Sequence, residues 1–421
     1  MIPLSSRRPD AGFSQFPLAP SVQRGVAALG FTEPREIQVQ TIPAALEGRD
    51  VMGLAQTGTG KTAAFVLPIL QRLSTKRGPG PRALILAPTR ELAMQIQAEA
   101  LKLAQFTGLQ VVTIFGGVSA GSQIRALRAR PDILVACPGR LLDLMRQGVA
   151  KLNNIEVLVL DEVDHMFDMG FLPDVKRIIR AVPAKRQTML FSATFPAEVE
   201  LLAGQSLTEP QKIAMGISKP AITVAHALYP VPQHLKSGLL LKLLKQTDTD
   251  SVLIFTRTKH RAEKLARQIA HAGHRLTSLH SNRTQGQREQ ALSGFKNGHF
   301  HIMVATDIAA RGLDVESISH VINFDMPDTA DAYIHRIGRT GRAQRTGDAF
   351  TFVTPEDNDM IRQLERIMGG PIKRETFADF DYSPPAPPRS GHERREGTRP
   401  PRPAPTPKSY GRNRLAPRRS K

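Results

Sequence analysis

Short apolar, β-branched runs alternate with longer stretches of helical period along this chain, and the alternation runs through twice. In the first pass Val51–Ala55, Ala83–Ala87, Val111–Phe115, Ile133–Ala136, Val157–Leu160 and Thr188–Phe191 read as strands. Helical stretches such as Thr62–Leu73, Arg90–Phe106 and Arg140–Arg146 separate them. Continuous apolar runs of this length suit strands buried on both faces, as in a parallel sheet covered by its crossover helices. The pattern pauses over a Pro- and Gly-punctuated stretch, Glu209 to Pro232, and restarts. Val252–Phe255, Arg275–Leu279, Ile302–Ala305, His320–Asn323 and Ala349–Val353 then read as a second set of strands. The expected fold is α/β, with two tandem doubly wound parallel sheets. A chain of 421 residues has room for both and for tails. Aromatics make up only 5% and Trp is absent, so the cores must be built from Leu, Ile, Val and Ala.

One strand-to-helix turn carries chemistry. Ala55-Gln-Thr-Gly-Thr-Gly-Lys-Thr62 follows a strand and opens a helix. Glycines there let backbone N–H groups crowd around phosphate oxygens, and the helix dipole favours their charge. Lys61 is placed to reach β- and γ-phosphates, and the Thr62 hydroxyl to ligate Mg²⁺. Ala55 stands where the general phosphate-loop pattern has Gly. A second strand, Val157–Leu160, ends in Asp161-Glu162-Val163-Asp164. Ligands of such sheets collect at the carboxyl ends of strands. Asp161 suits Mg²⁺, partly through water, and Glu162 suits deprotonation of an attacking water. An Asp-Glu pair after a strand also serves as a plain turn.

The net charge of +19 makes a polyanion the first partner to consider, against a basic surface that is merely solvated. The stretch from Ser383 to Lys421 holds ten Pro, eleven Lys or Arg and only two Glu, so it is expected to be disordered. It suits salt-sensitive phosphate binding or simple solubility. The single cysteine, Cys137, excludes an internal disulfide and fits a reducing compartment. No secretion signal is legible in the first 20 residues, and no run approaches the ~20 apolar residues of a membrane span. A cytoplasmic protein with no membrane partner is expected.

At these residues the chain resembles the DEAD-box ATP-dependent RNA helicases, over about Phe13 to Gly370. Gly30-Phe-Thr-Glu-Pro-Arg-Glu-Ile-Gln38 looks like the family's adenine-recognising Q motif. Further matches are Pro88-Thr-Arg-Glu-Leu-Ala93, Gly116-Gly117, Cys137-Pro-Gly-Arg140 and Ser192-Ala-Thr194. The second half adds Leu253–Arg257, Gln285-Gly-Gln-Arg288, Val304–Asp314 and His335-Arg-Ile-Gly-Arg-Thr-Gly-Arg342. The wording His280–Gln285 is similar to the bacterial RhlE-type subgroup.

The resemblance implies two RecA-like domains, 13–215 and 225–372, joined by a linker at 216–224. A short extension, 1–12, precedes them and a basic tail, 373–421, follows, disordered from about 383. It implies RNA-stimulated hydrolysis of ATP with Mg²⁺, coupled to domain closure and local strand separation. ATP would be held by Phe31, Gln38, Ala55, Gln56, Thr57, Gly58, Thr59, Gly60, Lys61, Thr62 and Asp314. Thr89, Arg90, Gly117, Gly139 and Arg140 would line an RNA-backbone path, continued by Thr256, Arg257, Thr306 and Asp307. Asp164, Ser192, Thr194, His335 and Arg336 would couple the halves. Arg339 and Arg342 would be arginine fingers, which suit the task because a guanidinium stays charged and spreads over several oxygens. RNA is the implied partner, bound through its backbone, with ribosomal or RNA-decay proteins as further partners. An ATP-gated RNA clamp with little unwinding is the alternative carrying the same motifs.

The chain departs from the family's wording in several places, one of them His280-Ser-Asn282, which stands where His-Gly-Asp is common. Val163 adds bulk beside the acids, Cys137 removes a hydroxyl, and Arg35 replaces a small hydroxyl residue, which is expected to loosen the adenine pocket.

Overall fold

The computed structural model describes residues 12–55, 58–75, 78–214, 224–246, 251–310, 318–340 and 347–385. Among them the first half forms β1 (Val51–Leu54), β2 (Ala83–Leu86), β3 (Val111–Ile114), β4 (Ile133–Ala136), β5 (Val157–Leu160), β6 (Gln187–Ser192) and β7 (Gln211–Ala214). These make one parallel sheet in the order β3-β4-β2-β5-β6-β1-β7. The second half forms β8 (Val224–Pro230), β9 (Val252–Thr256), β10 (Leu276–Leu279), β11 (Ile302–Thr306), β12 (His320–Asn323) and β13 (Gly347–Val353). Their order is β10-β11-β9-β12-β13-β8, again parallel.

Period-two alternation divides each sheet's side chains between two cores. Along β2, Ala83 and Ile85 join one cluster while Leu84 and Leu86 join the other. Along β9, Leu253 and Phe255 face one way, Val252 and Ile254 the other. No cluster mixes residues of the two sheets, so each half carries a core of its own. Each fully buried Leu, Ile or Val contributes roughly 1.5–3 kcal/mol. Val163 is fully buried and joins the core cluster that contains Leu160 and Met166, so its extra bulk goes into packing.

Two strands escaped the sequence reading, and both lie in the stretch taken as a punctuated connection. β7 buries only Ile213 and sits at the sheet's edge, so it lacks an apolar run. β8 is an edge strand beside β13. Its outer side is covered by the start of the expected tail. Leu228 donates its N–H to the Lys373 carbonyl (2.8 Å) and accepts from Glu375 (2.9 Å). Phe377 packs on Tyr229, and the Tyr229 hydroxyl donates to Glu375 Oε2 (2.7 Å). Covering an edge in this way blocks stray strand pairing. Most of the linker 216–224, the extension 1–11 and the tail from 386 lie outside the described residues. No helix among the described residues is long and apolar enough to cross a membrane.

Candidate functional site

Adjacency of β5, β6 and β1 brings three loops together at their carboxyl ends. Leu54 is in register with Ser192, and the Ala55 N–H donates to the Ser192 carbonyl (2.9 Å). The glycine-rich loop, the acidic turn and the Ser192–Thr194 turn therefore meet without any long reach. Gly58 and Gly60 have φ of 84° and 91°, a region that costs glycine little and other residues much. Lys61 then starts the helix Lys61–Thr75, buried, with Nζ donating to the Ala55 carbonyl (2.9 Å). The same Nζ lies 3.5 Å from Asp161 Oδ1.

Asp161 and Glu162 are adjacent, buried carboxylates facing this one lysine. Burial pushes Asp161 up to about 6, with Lys61 opposing and Glu162 adding to the rise. Burial also works against ionised Glu162, but the His165 hydrogen bond, with the charges of Lys61, His165 and Arg339, brings it down to about 2. Glu162 itself sits in the left-handed region, at φ 51° and ψ 56°, as the cap of the helix Val163–Asp168. Strained non-glycine backbone of that kind clusters at functional sites. A buried Asp161 whose negative charge is under-compensated, beside the Thr62 hydroxyl, offers the hard oxygen donors that Mg²⁺ takes alongside phosphate and water. The donor set fits that ion.

Of the residues expected to hold adenine, Phe31 is stacked on Phe13 at 5.9 Å, and Gln38 is buried nearby. Both amide ends of Gln38 are engaged by protein. Oε1 accepts from the Arg35 N–H (2.9 Å), and Nε2 donates to the Gly60 carbonyl (3.0 Å). Arg35 does not loosen this region as expected. Its Nη1 donates to the Gly58 carbonyl (2.5 Å), so a guanidinium ties the segment Gly30–Gln38 to the glycine loop. Phe31, Gln38, Gly58, Lys61, Thr62 and Glu162 line one cavity of about 360 Å³. Gln56, Thr57, Asp314 and Arg342 lie outside the described residues.

Asp164 is the hub of the coupling set. Its Oδ2 accepts from the N–H groups of Ala193 (3.1 Å) and Thr194 (3.0 Å) and from the Thr194 hydroxyl (3.2 Å). The Asp164 N–H in turn donates to Ser192 Oγ (3.1 Å). Arg336, expected to couple the halves, is held by partners inside the second half. It grips Asp307 with two 2.6 Å bonds, donates to Asn323 and to the Asp325 carbonyl, and lies over the Phe255 ring. Asp307, expected on the RNA path, is therefore already committed. His335 shares the helix Ala330–Ile337 and is partly buried. Arg339, just beyond that helix, is buried and close enough for its charge to act on Glu162 of the first half.

A second cavity, about 560 Å³, runs between the two halves. Thr89, Arg90, Gly139, Arg140, Arg257 and Thr306 line it, six of the nine residues expected on the nucleic-acid path. Thr89 caps the helix Arg90–Ala104 by accepting from Leu92, and Arg140 donates to the Val118 carbonyl (3.2 Å). Gly117, at φ 78°, lies under the Arg90 guanidinium, where a Cβ would meet Nη1 at 2.2 Å. Thr256 is fully buried, and its neighbour Thr258 lines the cavity instead. Cys137 caps the helix Pro138–Arg146 with no side-chain bond, as the lost hydroxyl predicts.

Sequence reasoning gave no role to Glu91, Gln285 and Arg288, which pair across the two halves. Arg288 Nε donates to Glu91 Oε1 (2.7 Å), and Arg90 Nη1 to Gln285 Oε1 (3.3 Å). Both pairs join motif residues from opposite halves, and the pairing of Glu91 with Arg288 is a charge complementarity that the two motifs carry in plain view. Met169 and Phe171 add an apolar patch to the lining that no motif signalled.

The family description DEAD/DEAH box helicase matches residues 35–202, and that of the helicase conserved C-terminal domain matches 235–344. A Bacillus subtilis protein, DEAD-box ATP-dependent RNA helicase CshA, is 41% identical over 355 residues, covering 84% of this chain and 72% of its own length. An Arabidopsis thaliana protein, DEAD-box ATP-dependent RNA helicase 30, is 45% identical over 83% of this chain and 60% of its own length. Neither bears the RhlE name. The structure of S. cerevisiae Dbp5 bound to RNA and ADP BeF3 superposes with a TM-score of 0.76 at 31% identity, covering 87% of this chain and 95% of that one.

Proposed function

Because the chain belongs to the DEAD-box ATP-dependent RNA helicases, we propose that its two sheets are the jaws of one clamp, in which ATP and RNA are both gripped across the same cleft. Hydrolysis of ATP is its enzymatic activity, and RNA is its partner. The observation that carries the clamp reading is a set of side-chain contacts between the two halves: Arg288 Nε donates to Glu91 Oε1 (2.7 Å) and Arg90 Nη1 to Gln285 Oε1 (3.3 Å).

Each residue then has a task. Phe31 and Gln38 hold the base, while the loop from Ala55 to Thr62 and Lys61 hold the phosphates. Glu162 takes the proton of the attacking water, and Arg339 spreads the charge that develops on the γ-phosphoryl group. Arg342 belongs to the same expectation. Fingers of this kind are worth ~10³–10⁵ in rate, so hydrolysis is slow until the jaws meet. Mg²⁺ held by Asp161 and Thr62 would neutralise phosphate charge.

On the nucleic-acid side, Thr89, Arg90, Gly139, Arg140, Arg257 and Thr306 offer hydroxyls, guanidinia and a helix N-terminus. Such groups position a backbone without reading bases. ATP and RNA that both favour closure must each tighten the other. Closure on a bent strand removes it from its duplex, which gives local unwinding. The clamp-only alternative has no observation in its favour. A cytoplasmic setting, the RhlE-type subgroup and ribosomal or RNA-decay protein partners belong to the same reading and rest on the sequence.

Arg339→Ala tests the proposal. RNA-stimulated hydrolysis should be lost while nucleotide binding survives. Unchanged stimulation would reject the cross-cleft role.

A further inference from the structure

His165 is a buried titratable side chain in the first turn of the helix Val163–Asp168, and nothing said so far gives it a task. Its Nδ1 lies 3.3 Å from Glu162 Oε2, three residues back along the chain. The other ring nitrogen, Nε2, is buried without a hydrogen-bond partner. Leaving a ring nitrogen dry costs stability, since its water is given up and nothing replaces it. A side chain placed only for packing at this position has no need of that cost, because an apolar residue of similar size avoids it.

Glu162 needs the help. Its backbone is left-handed, and its Oε2 reaches His165 in the first turn of the helix that follows. Lys61 is paired with the neighbouring Asp161 (3.5 Å), and the charges of Lys61 and of Arg339, from the other half, both favour the ionised form of Glu162. A carboxylate free to pair with either is no longer aimed at a water. One N–H held at a fixed point on the short helix settles which oxygen is occupied and which is left to accept a proton. His165 is itself anchored, since its own N–H donates to Asp164 Oδ1 (2.9 Å), and Asp164 is the acceptor for Ala193 and Thr194.

We propose that His165 is a positioning residue for hydrolysis: Nδ1–H donates to Glu162 Oε2, leaving Oε1 aimed at the attacking water, and the backbone bond to Asp164 ties that aim to the Ser192–Thr194 turn. The logic is that of a base oriented by a third group. The inference rests on Glu162 being the base, so the experiment separates the two.

Five variants are compared in ATP turnover, each as the full chain: His165→Leu, His165→Asn, His165→Gln, Glu162→Gln and the double variant of His165→Leu with Glu162→Gln. His165→Leu should lower kcat by about ten- to a hundred-fold, within the range by which small misplacements slow catalysis. The KM for ATP and the affinity for RNA should hold. His165→Asn places an amide N–H near the former Nδ1 and should recover most of the loss, whereas His165→Gln, which places it near the former Nε2, should not. In the Glu162→Gln background, His165→Leu should cost nothing further in single-turnover assays, because the partner it orients is gone. Normal turnover of His165→Leu, equal loss in the Asn and Leu variants, or full additivity with Glu162→Gln would overturn the positioning role alone. Normal turnover of Glu162→Gln would overturn the base assignment, and this role with it.

Discussion

Arg288 of the second half donates through Nε to Glu91 of the first at 2.7 Å, with side chains only 11% and 7% exposed. This is a charge pair buried across the cleft, beside the cavity that the path residues line. Removing one member of such a pair leaves the other charge buried, at a cost of roughly 2–5 kcal/mol. That cost falls only on the closed arrangement. Arg288→Gln and Glu91→Gln should therefore each reduce the gain in RNA affinity that a non-hydrolysable ATP analogue confers, and leave nucleotide binding alone. Reversing both charges should restore part of it. An unchanged ratio of RNA affinities with and without the analogue would assign the pair no part in closure.

Arg336 should behave differently from Arg339 although it lies three residues away. Its guanidinium is consumed by Asp307, Asn323 and the Asp325 carbonyl, all in the second half. Arg336→Ala should cost about 3 kcal/mol, as for a broken buried pair, and appear as early unfolding of the second half in denaturant. Arg336→Lys should recover little, since an ammonium cannot reproduce the two-pronged grip on Asp307. Unaltered unfolding together with lost RNA stimulation would return Arg336 to the coupling role.

Cys137 offers a reporter. Burial, then repulsion by Glu91, pushes its thiol up to about 12, with Arg90 opposing. The folded value lies above the unfolded one. The stabilisation is thus fully present below the usual thiol range near pH 9 and is lost as pH rises toward 12. At pH 8 the sole thiol should react slowly with iodoacetamide in the native protein and at an ordinary rate once unfolded. Fast labelling of the native protein would contradict the buried, neutral thiol.

Much of this was legible because buried parallel strands and backbone-shaped ligand loops leave local marks. β5, with Val157–Leu160 all buried, declares itself by composition, and the acids that follow it fall where such sheets hold ligands. β7 does not, because an edge strand that buries one side chain has no apolar run to show. Side-chain partners were harder. Nothing in the order of residues says that Arg336 is spent on Asp307, that Thr256 is buried, or that Arg35 reaches the Gly58 carbonyl. Those are consequences of which loops the sheet order brings together, and a small hydroxyl lost from the Q motif was no guide to what a longer side chain would find.

Neither half should hydrolyse ATP efficiently alone, since Lys61 and Glu162 belong to the first half and Arg339 to the second. Each half has its own core, so residues 12–214 can be prepared and assayed by themselves. ATP turnover by that fragment, set against the full chain with saturating RNA, tests the claim most directly. The fragment should still bind nucleotide but turn it over at least ~10³-fold more slowly. A fragment as fast as the RNA-bound whole would contradict it.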